Sequence, residues 1–470
     1  MTAGGDAILA ELGRFVATTA YGNLPQDVVQ KAQACVLYGL AVAIASVRAP
    51  QARQAAQAVD REATAGAAGS ATRFIDQRRL DFPAAAFCNA VLFHARVQDD
   101  AHPCGHLGVV VLPAALACAE RFEASGGDTL AAIVAGYEVA LRIGRDHAAD
   151  MSERGFRTTP AYGVFAAAAC GARLMKLDAG ACANALSLAA NAAGGLREWV
   201  DAGTEEYPFQ AGLAARNGLL CANLAAAGTA AAGSALTGRA GFFRAYATDS
   251  DRYARRVCEG LGAEYELEAV TYKPYPICQF LSGVVRGTIA VRARAQHREP
   301  RTLAIHMHPF EADFIGNRYA GPYTSFQQTL ISAPFCAALA WANRAVTFAG
   351  LHEFSNAAVL ALVRKITVVA DASRARYSPR LVVTLDDMTV LEWEETEGAN
   401  SYRLTWDAAL RMNVELGAEA GVPESNVQAL AAAVAEVGRA ANVQGLVAAA
   451  ANCAAEARRR VFDGDAQFNK

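Results

Sequence analysis

The densest chemistry in the chain lies between residues 99 and 106. Asp99-Asp100-Ala101-His102-Pro103-Cys104-Gly105-His106 sets two carboxylates and two imidazoles beside a proline and a glycine. That composition reads as a loop, and loops held on a rigid scaffold are where function concentrates. A carboxylate fixes the tautomer of a neighbouring imidazole and raises its basicity, which suits removal of a proton from carbon. The plainer alternative is a solvated acidic turn with His102 capping a helix. Lys273 is a second candidate. Of 43 basic side chains only Lys31, Lys176, Lys273, Lys365 and Lys470 are lysines, and lysine, unlike arginine, can lose its proton when buried. Lys273 precedes Pro274 and Pro276 in a stretch that cannot be helical. An ammonium there could bind a carboxylate or donate a proton, whereas Cys278 nearby reads as packed and not nucleophilic.

Such groups need elements to position them. From Ala7 to about Gly262, apolar residues recur at three- and four-residue spacing, which predicts helices nearly throughout. Pro25-Gln26-Asp27 opens one and Phe82-Pro83 another. Further helices are expected over 109–124, 129–143, 162–175, 180–193 and 212–226, with alanine and glycine letting their axes approach closely. After Glu264 the period changes to two over 303–307, 366–370 and 381–385, with helices expected over 278–295 and 332–344 between them, and Asp386-Asp387 reads as a hairpin turn into 389–394. Alanine-rich helix returns after Asp407. The fold class expected is mostly α. A large helical bundle domain, discontinuous over 1–263 and 405–470, carries an inserted smaller α+β domain over 264–404. The 99–106 loop and Lys273 fall on opposite sides of that boundary, and domain boundaries often host small-molecule sites.

A chain of 470 residues exceeds the usual single core. A hydrophobic fraction of 53% against 19% charged residues excludes a disordered chain. The net charge of −3 gives no reason to expect nucleic acid or an anionic membrane as partner. The first fifteen residues place Asp6, Glu11 and Arg14 within a helical pattern, so no secretory leader is expected. Eleven cysteines without a C-x-x-C pair read as buried thiols in a reducing cytoplasm. Dinucleotide, phosphate-loop and nucleophile-elbow motifs are missing, and His306 and His308 lack further ligands at metal spacing. Neither a metal nor an organic cofactor is expected.

Three segments resemble the MmgE/PrpD family, whose members include 2-methylcitrate dehydratase, cis-aconitate decarboxylase and iminodisuccinate epimerase. Asn89-Ala90-Val91-Leu92-Phe93-His94-Ala95 with the 99–106 loop resembles the family's helix and D-F-D-D-T-H…H-P-G loop. Gly155-Phe156-Arg157-Thr158-Thr159 followed by Tyr162-Gly163-Val164-Phe165 resembles G-[FW]-H-x-T…G-x-F-G. Tyr272-Lys273-Pro274-Tyr275-Pro276-Ile277-Cys278-Gln279 resembles K-x-Y-P-x-C-R. Gly203-Thr204, the 212–218 stretch and the 328–339 stretch add support, so the likeness runs from about residue 10 to 420.

The resemblance implies a homodimer and a site between the two domains for a small anionic carboxylate. Asp99, Asp100, His102, His106 and Lys273 would be catalytic. Arg157, Thr159, Tyr207, Gln210, Gln279, Ser282 and Phe335 would bind substrate. Several of these depart from the family pattern. Its histidine falls on Arg157, its lysine and histidine on Tyr207 and Gln210, its arginine and histidine on Gln279 and Ser282, its tyrosine on Phe335, and the first aspartate on Val97. Exchanging histidine for Arg157 trades proton transfer for anion binding.

The function expected is a cofactor-independent lyase of a small di- or tricarboxylate, similar to 2-methylcitrate dehydratase. His102 or His106 would be the base and Asp99 or Asp100 its orienter, with Lys273 and Arg157 as anion binders. Two alternatives stay open. One is an epimerase of a dicarboxylate such as iminodisuccinate, with Lys273 or Tyr207 as the second acid. The other is a catalytically silent carboxylate-binding homologue.

Overall fold

The protein is seen in a computed structural model that describes residues 5–62, 69–247 and 250–459. The outer ends of the expected helical segments, 1–4 and 460–470, lie outside the described residues.

The fold is mostly α with a small α+β part. Helix starts follow from local capping chemistry. Gln26–Ala45 begins directly after Pro25, with Asp27 in its first turn. Phe82–His94 begins where the Asp81 carboxylate accepts the Ala84 N–H at 3.0 Å, with Pro83 in the first turn. Ser125 accepts from the Asp128 N–H at 3.1 Å and opens Gly126–Gly144. This helix and Thr158–Leu174 are buried along nearly their whole lengths. Gln26–Ala45 is long and apolar enough by composition to cross a membrane. Most of its side chains are instead buried in the helical core.

The sheet has four strands in the order Ile366–Ala370, Pro300–Met307, Arg380–Leu385, Val390–Glu394. The first pair is parallel and the others antiparallel. Leu303, Ile305, Met307, Leu381, Val383 and Leu385 form its buried face, the alternation that their period of two requires. His308 lies beyond the strand, where its side chain caps the short helix Pro309–Ala312.

Three features of the local structure differ from the sequence expectation. A helix covers Pro50–Glu62, and two-residue strands Ala71–Thr72 and Arg79–Leu80 pair within the helical region. Those strands are too short to leave a periodic signal, and the distant Glu120 carboxylate steadies them, accepting the Thr72 N–H at 2.8 Å. The helix expected from residue 278 starts as a single 3-10 turn, Gln279–Leu281, before Ser282–Ala295.

Two buried cores are present. One draws on residues from Leu9 to Val270 and again from Leu404 to Ala457. The other draws on residues from Ile277 to Leu385, with Val97 and Val200 packed against it. The chain therefore crosses between cores twice, and the crossings touch. Thr271 bridges both Ala101 and Arg403 in antiparallel fashion. The buried Lys31 ammonium donates to the Val270 carbonyl at 2.5 Å and the Leu404 carbonyl at 2.9 Å, one on each crossing. All eleven cysteines are free thiols, and nine are buried.

Candidate active site

The crossing point is where the reactive side chains gather. Ala101 and Thr271 exchange both backbone hydrogen bonds, at 2.9 and 2.8 Å. In an antiparallel pair, two steps back on one side and two forward on the other bring Asp99 opposite Lys273. The Lys273 ammonium donates to Asp99 Oδ1 at 2.9 Å and to the Val97 carbonyl at 2.6 Å. Both side chains are almost fully buried, at 1% and 3% exposure.

The same geometry separates the two adjacent aspartates. Side chains alternate along an extended backbone, so Asp100 points away from Lys273. Its carboxylate accepts from Tyr137 Oη at 2.6 Å and from the Gly108 N–H at 3.1 Å, at the start of the helix Gly108–Arg121. Gly108 must be glycine for this approach, because a Cβ would stand 2.5 Å from Tyr137 Oη and 2.7 Å from Asp100 Oδ2. Asp100 thus anchors the loop. His102 also leaves the cluster, with its Nε2 3.7 Å from Glu266 and its Nδ1 accepting the Cys104 N–H at 3.2 Å. His102 and Gly105 close a tight turn by reciprocal backbone bonds, with Gly105 at φ +126°.

Beyond that turn the chain returns to Asp99 through His106. The His106 N–H donates to Thr159 Oγ1 at 3.1 Å, in the first turn of Thr158–Leu174. Its Nδ1 lies 2.7 Å from the Asp100 carbonyl and 3.3 Å from Asp99 Oδ1. Both neighbours accept, so the proton sits on Nδ1 and the lone pair on Nε2. His106 is the one member of this group with a substantially open side chain, at 27% exposure.

His94, the last residue of Phe82–His94, completes the cluster. It lies in the family-like segment 89–95, but composition and spacing alone did not set it apart from a core histidine on an apolar helix. Its Nδ1 hydrogen-bonds Asp99, and its Nε2 accepts from the Arg157 guanidinium. Arg157 also donates to the Tyr207 carbonyl at 2.6 Å and to Gln210 Oε1 at 3.1 Å. Its guanidinium lies over both the Trp199 and Tyr207 rings, 5.3 and 5.6 Å from their centres. Arg157 is therefore an internal partner of His94, only 7% exposed, and not the open anion binder that its charge suggested.

Burial governs the protonation states. Burial alone would raise the Asp99 carboxyl, but Lys273, His94 and His106 outweigh it and hold it well below the usual range. Desolvation lowers His94 to about 4, against the opposing pull of Asp99. Desolvation and Lys273 lower His106 to about 3. Desolvation and Lys31 lower His102 to about 4. Burial raises Asp100 to about 7, although Tyr137 opposes it. Desolvation brings Arg157 down to about 10, where it remains a cation at neutral pH.

The remaining candidates are spread around this centre. Tyr207 donates from its hydroxyl to the Ala95 carbonyl at 3.1 Å and meets the His94 ring edge-on at 5.2 Å. Gln210 uses its Nε2 on the Leu196 carbonyl at 3.1 Å. Gln279 donates to the Tyr272 carbonyl at 3.2 Å, one residue from Lys273, which leaves its buried Oε1 without a partner. Ser282 is fully buried with its Oγ unpartnered. Phe335 is the outlier. It lies inside the second core against the Tyr323 ring, since an aromatic residue without a hydroxyl has no polar tip to keep in a site. Two surface cavities of about 400 Å³ lie elsewhere, one along residues 25–28 and 263–269, the other along 312–319. Neither is lined by a member of the Asp99 cluster.

A mostly helical body, an appended small sheet and a buried acid–base cluster at their double crossing define the class of protein. The sequence profile of the MmgE/PrpD N-terminal domain matches residues 10–253, just over half of the chain, and the chain belongs to the MmgE/PrpD family. It is similar to the cis-aconitate decarboxylase-like protein oryM of Aspergillus oryzae, 29% identical over 313 residues, 63% of each chain. It is also similar to cis-aconitate decarboxylase of Aspergillus terreus, 29% identical over 310 residues, 63% of this chain and 61% of that one. Against cis-aconitate decarboxylase of Homo sapiens it is 34% identical over 181 residues, 37% of each. The matched stretches span less than two thirds of the length of these relatives.

Proposed function

We propose that this chain is a lyase of a small carboxylic acid that works by proton transfer at carbon, with His106 as the base and Lys273 as the cation beside it. One observation carries the reading. His106 has its Nδ1–H committed to the Asp100 carbonyl and Asp99, so Nε2 is left as the free lone pair on the most exposed ring of the cluster. A fixed tautomer with an open Nε2 is what general-base catalysis requires. Lys273, held at Asp99, offers positive charge where an enolate would develop. Family membership and the cis-aconitate decarboxylase relatives support a carboxylate substrate.

In dehydration, the α-hydrogen moves to His106 Nε2, the carbon–oxygen bond breaks, and hydroxide leaves as water with a proton from Lys273. In decarboxylation the direction reverses: CO₂ leaves and the carbon gains a proton from the same pair. The substrates proposed are di- or tricarboxylates of the 2-methylcitrate or cis-aconitate kind. The working unit proposed is a cytoplasmic homodimer without cofactor. Exposed Leu213, Leu220 and Leu224 on the helix Tyr207–Ala226 favour the dimer, which sedimentation would test.

Incubating candidate acids in heavy water and following the α-hydrogen by NMR tests the reaction. Exchange or turnover that disappears in His106→Gln supports the reading, and binding without exchange would favour the silent homologue. That second reading draws on Arg157, which is spent on His94 and no longer free to bind an anion.

A further inference from the structure

The Asp99 carboxylate is divided between its two oxygens. Lys273 donates to Oδ1 at 2.9 Å, and His106 Nδ1 lies 3.3 Å from the same atom. Oδ2 is left to His94 Nδ1. That last bond exists in only one tautomer of His94. With the proton on Nε2, the Nδ1 lone pair would face Oδ2, acceptor against acceptor, and would push the carboxylate from its place beside Lys273 and His106.

Arg157 is what fixes the tautomer. A guanidinium can only donate, so its contact with His94 Nε2 requires a lone pair there. Burial lowers His94 to about 4, so the ring carries a single proton at neutral pH, and that proton falls on Nδ1. Arg157 is itself held firmly. Its backbone N–H donates to the Gly195 carbonyl at 2.9 Å, and its guanidinium to the Tyr207 carbonyl at 2.6 Å and to Gln210 Oε1 at 3.1 Å. Gln210 cannot turn its amide about, because the Leu196 carbonyl takes its Nε2 at 3.1 Å. The contacts thus run in one direction, from Gln210 through Arg157 and His94 to Asp99, and from there to Lys273 and His106. The other groups facing His94 are the His106 ring, centred 5.9 Å away, the Tyr207 ring, centred 5.2 Å away, and the Lys273 charge. A histidine at position 157 would donate or accept according to its own proton, whereas arginine leaves His94 one choice.

Resting on the lyase reading, we infer that Arg157 is a positioning residue: through the fixed tautomer of His94 it holds Asp99 where that carboxylate orients His106 and Lys273 together, and it does not bind the substrate. Its effect belongs to the chemical step and not to substrate affinity.

The test uses the full-length chain with labelled histidine. Ring-nitrogen NMR shifts, taken without substrate, report the His94 tautomer, and the signal lost in His94→Gln assigns it. Wild type is expected to carry the proton on Nδ1. Arg157→Ala is expected to lose that single tautomer, and guanidinium ion below denaturing concentrations, but not sodium ion, to restore it. In turnover Arg157→Ala is expected to lower kcat about tenfold or more with KM within about twofold, the pattern of a misplaced reactive group. Combining it with His94→Gln should cost no more than the larger single change, because the two act along one path. Should Arg157→Ala fail to fold, Arg157→Met keeps the bulk of the stem without a donor and is expected to show the same losses of tautomer and kcat. An unchanged His94 tautomer in the folded variant would overturn the inference. So would a raised KM with kcat intact, which is the behaviour of an arginine that binds the substrate itself, or losses that add in the double variant. A tautomer that shifts as expected while wild type neither exchanges nor turns over any candidate acid would leave the hold on Asp99 standing and overturn the lyase reading instead.

Discussion

Asp99 and Lys273, 174 positions apart in sequence, face one another because Ala101 and Thr271 pair as neighbours in a short antiparallel bridge. Their 2.9 Å contact is thus set by backbone register and not by the reach of a flexible lysine. Register is also what distinguishes Asp99 from Asp100, since one step along the loop reverses the side on which a carboxylate emerges.

A pair fixed this way and buried this fully should be costly to break from one side only. Lys273→Met leaves Asp99 buried with imidazoles as its remaining partners, and the expected loss is about 3–5 kcal/mol in urea unfolding. The double change Asp99→Asn with Lys273→Met removes both charges and should recover a substantial part of that loss. A double variant as unstable as Lys273→Met alone would show that packing, not the unpaired charge, sets the cost.

Asp100 leads to a pH dependence of a definite sign. Burial raises its folded value to about 7, above the ordinary 3.8 that serves for the unfolded chain. The folded state then binds a proton more tightly than the unfolded state. Its contribution is fully present below pH 3.8 and is lost as pH rises through about 7. The span corresponds to a stability difference on the order of 4 kcal/mol. Asp100→Asn keeps a carbonyl for Tyr137 and Gly108 but cannot ionise. Wild type should therefore lose stability relative to this variant between pH 4 and 7, followed by denaturant unfolding at each pH. The neighbouring histidines, depressed below 6.5, titrate alike in both proteins and cancel in the comparison. A difference that stays flat across this window would place the Asp100 value near normal.

The bundle was legible in the sequence because its helices start at strong local signals, such as Pro25 and Asp81, and keep one period for several turns. The sheet was legible for the same reason at a period of two. What local pattern cannot convey is which side chains meet. His94 was hidden because five residues separate it from Asp99 across a helix end where the chain takes a left-handed turn at Val97, φ +59°. Arg157 was visible as a charge, but its partner His94 depends on two helices meeting end to end. The loop composition marked four candidates in 99–106 and could not rank them. Alternation about the Ala101–Thr271 bridge does rank them, bringing Asp99 to the cluster and turning Asp100 aside.

The two loop histidines should separate cleanly in kinetics. His106→Gln removes the open Nε2 lone pair while its amide N–H can still reach the Asp100 carbonyl, so turnover should fall roughly 10²-fold or more. Thermal unfolding should change little. His102→Gln alters a ring that faces Glu266 and the Cys104 N–H, and turnover should stay within a few-fold of wild type. If His102→Gln abolishes turnover while His106→Gln does not, the base has been assigned to the wrong ring.

Tyr38 offers the sharpest test of whether the crossing point positions the chemistry. It sits within Gln26–Ala45, and its hydroxyl accepts the Lys273 N–H at 3.1 Å while lying against the carbonyls of Gln98 and Lys273. One phenol thus ties the residue before Asp99 to the backbone of Lys273. Burial raises its pKa well above 10, so it stays a protonated, neutral tie at any working pH. Tyr38→Phe keeps the ring and its edge contact with Tyr272, centred 5.9 Å away, but orphans a buried N–H. The expected stability cost is about 1–3 kcal/mol. Reactive groups are sensitive to small displacements, so kcat should fall by about tenfold with KM nearly unchanged. A purely structural role would give the same stability loss with kcat intact. That outcome would reduce Tyr38 to a core tyrosine and move the positioning of Lys273 onto the Ala101–Thr271 bridge alone.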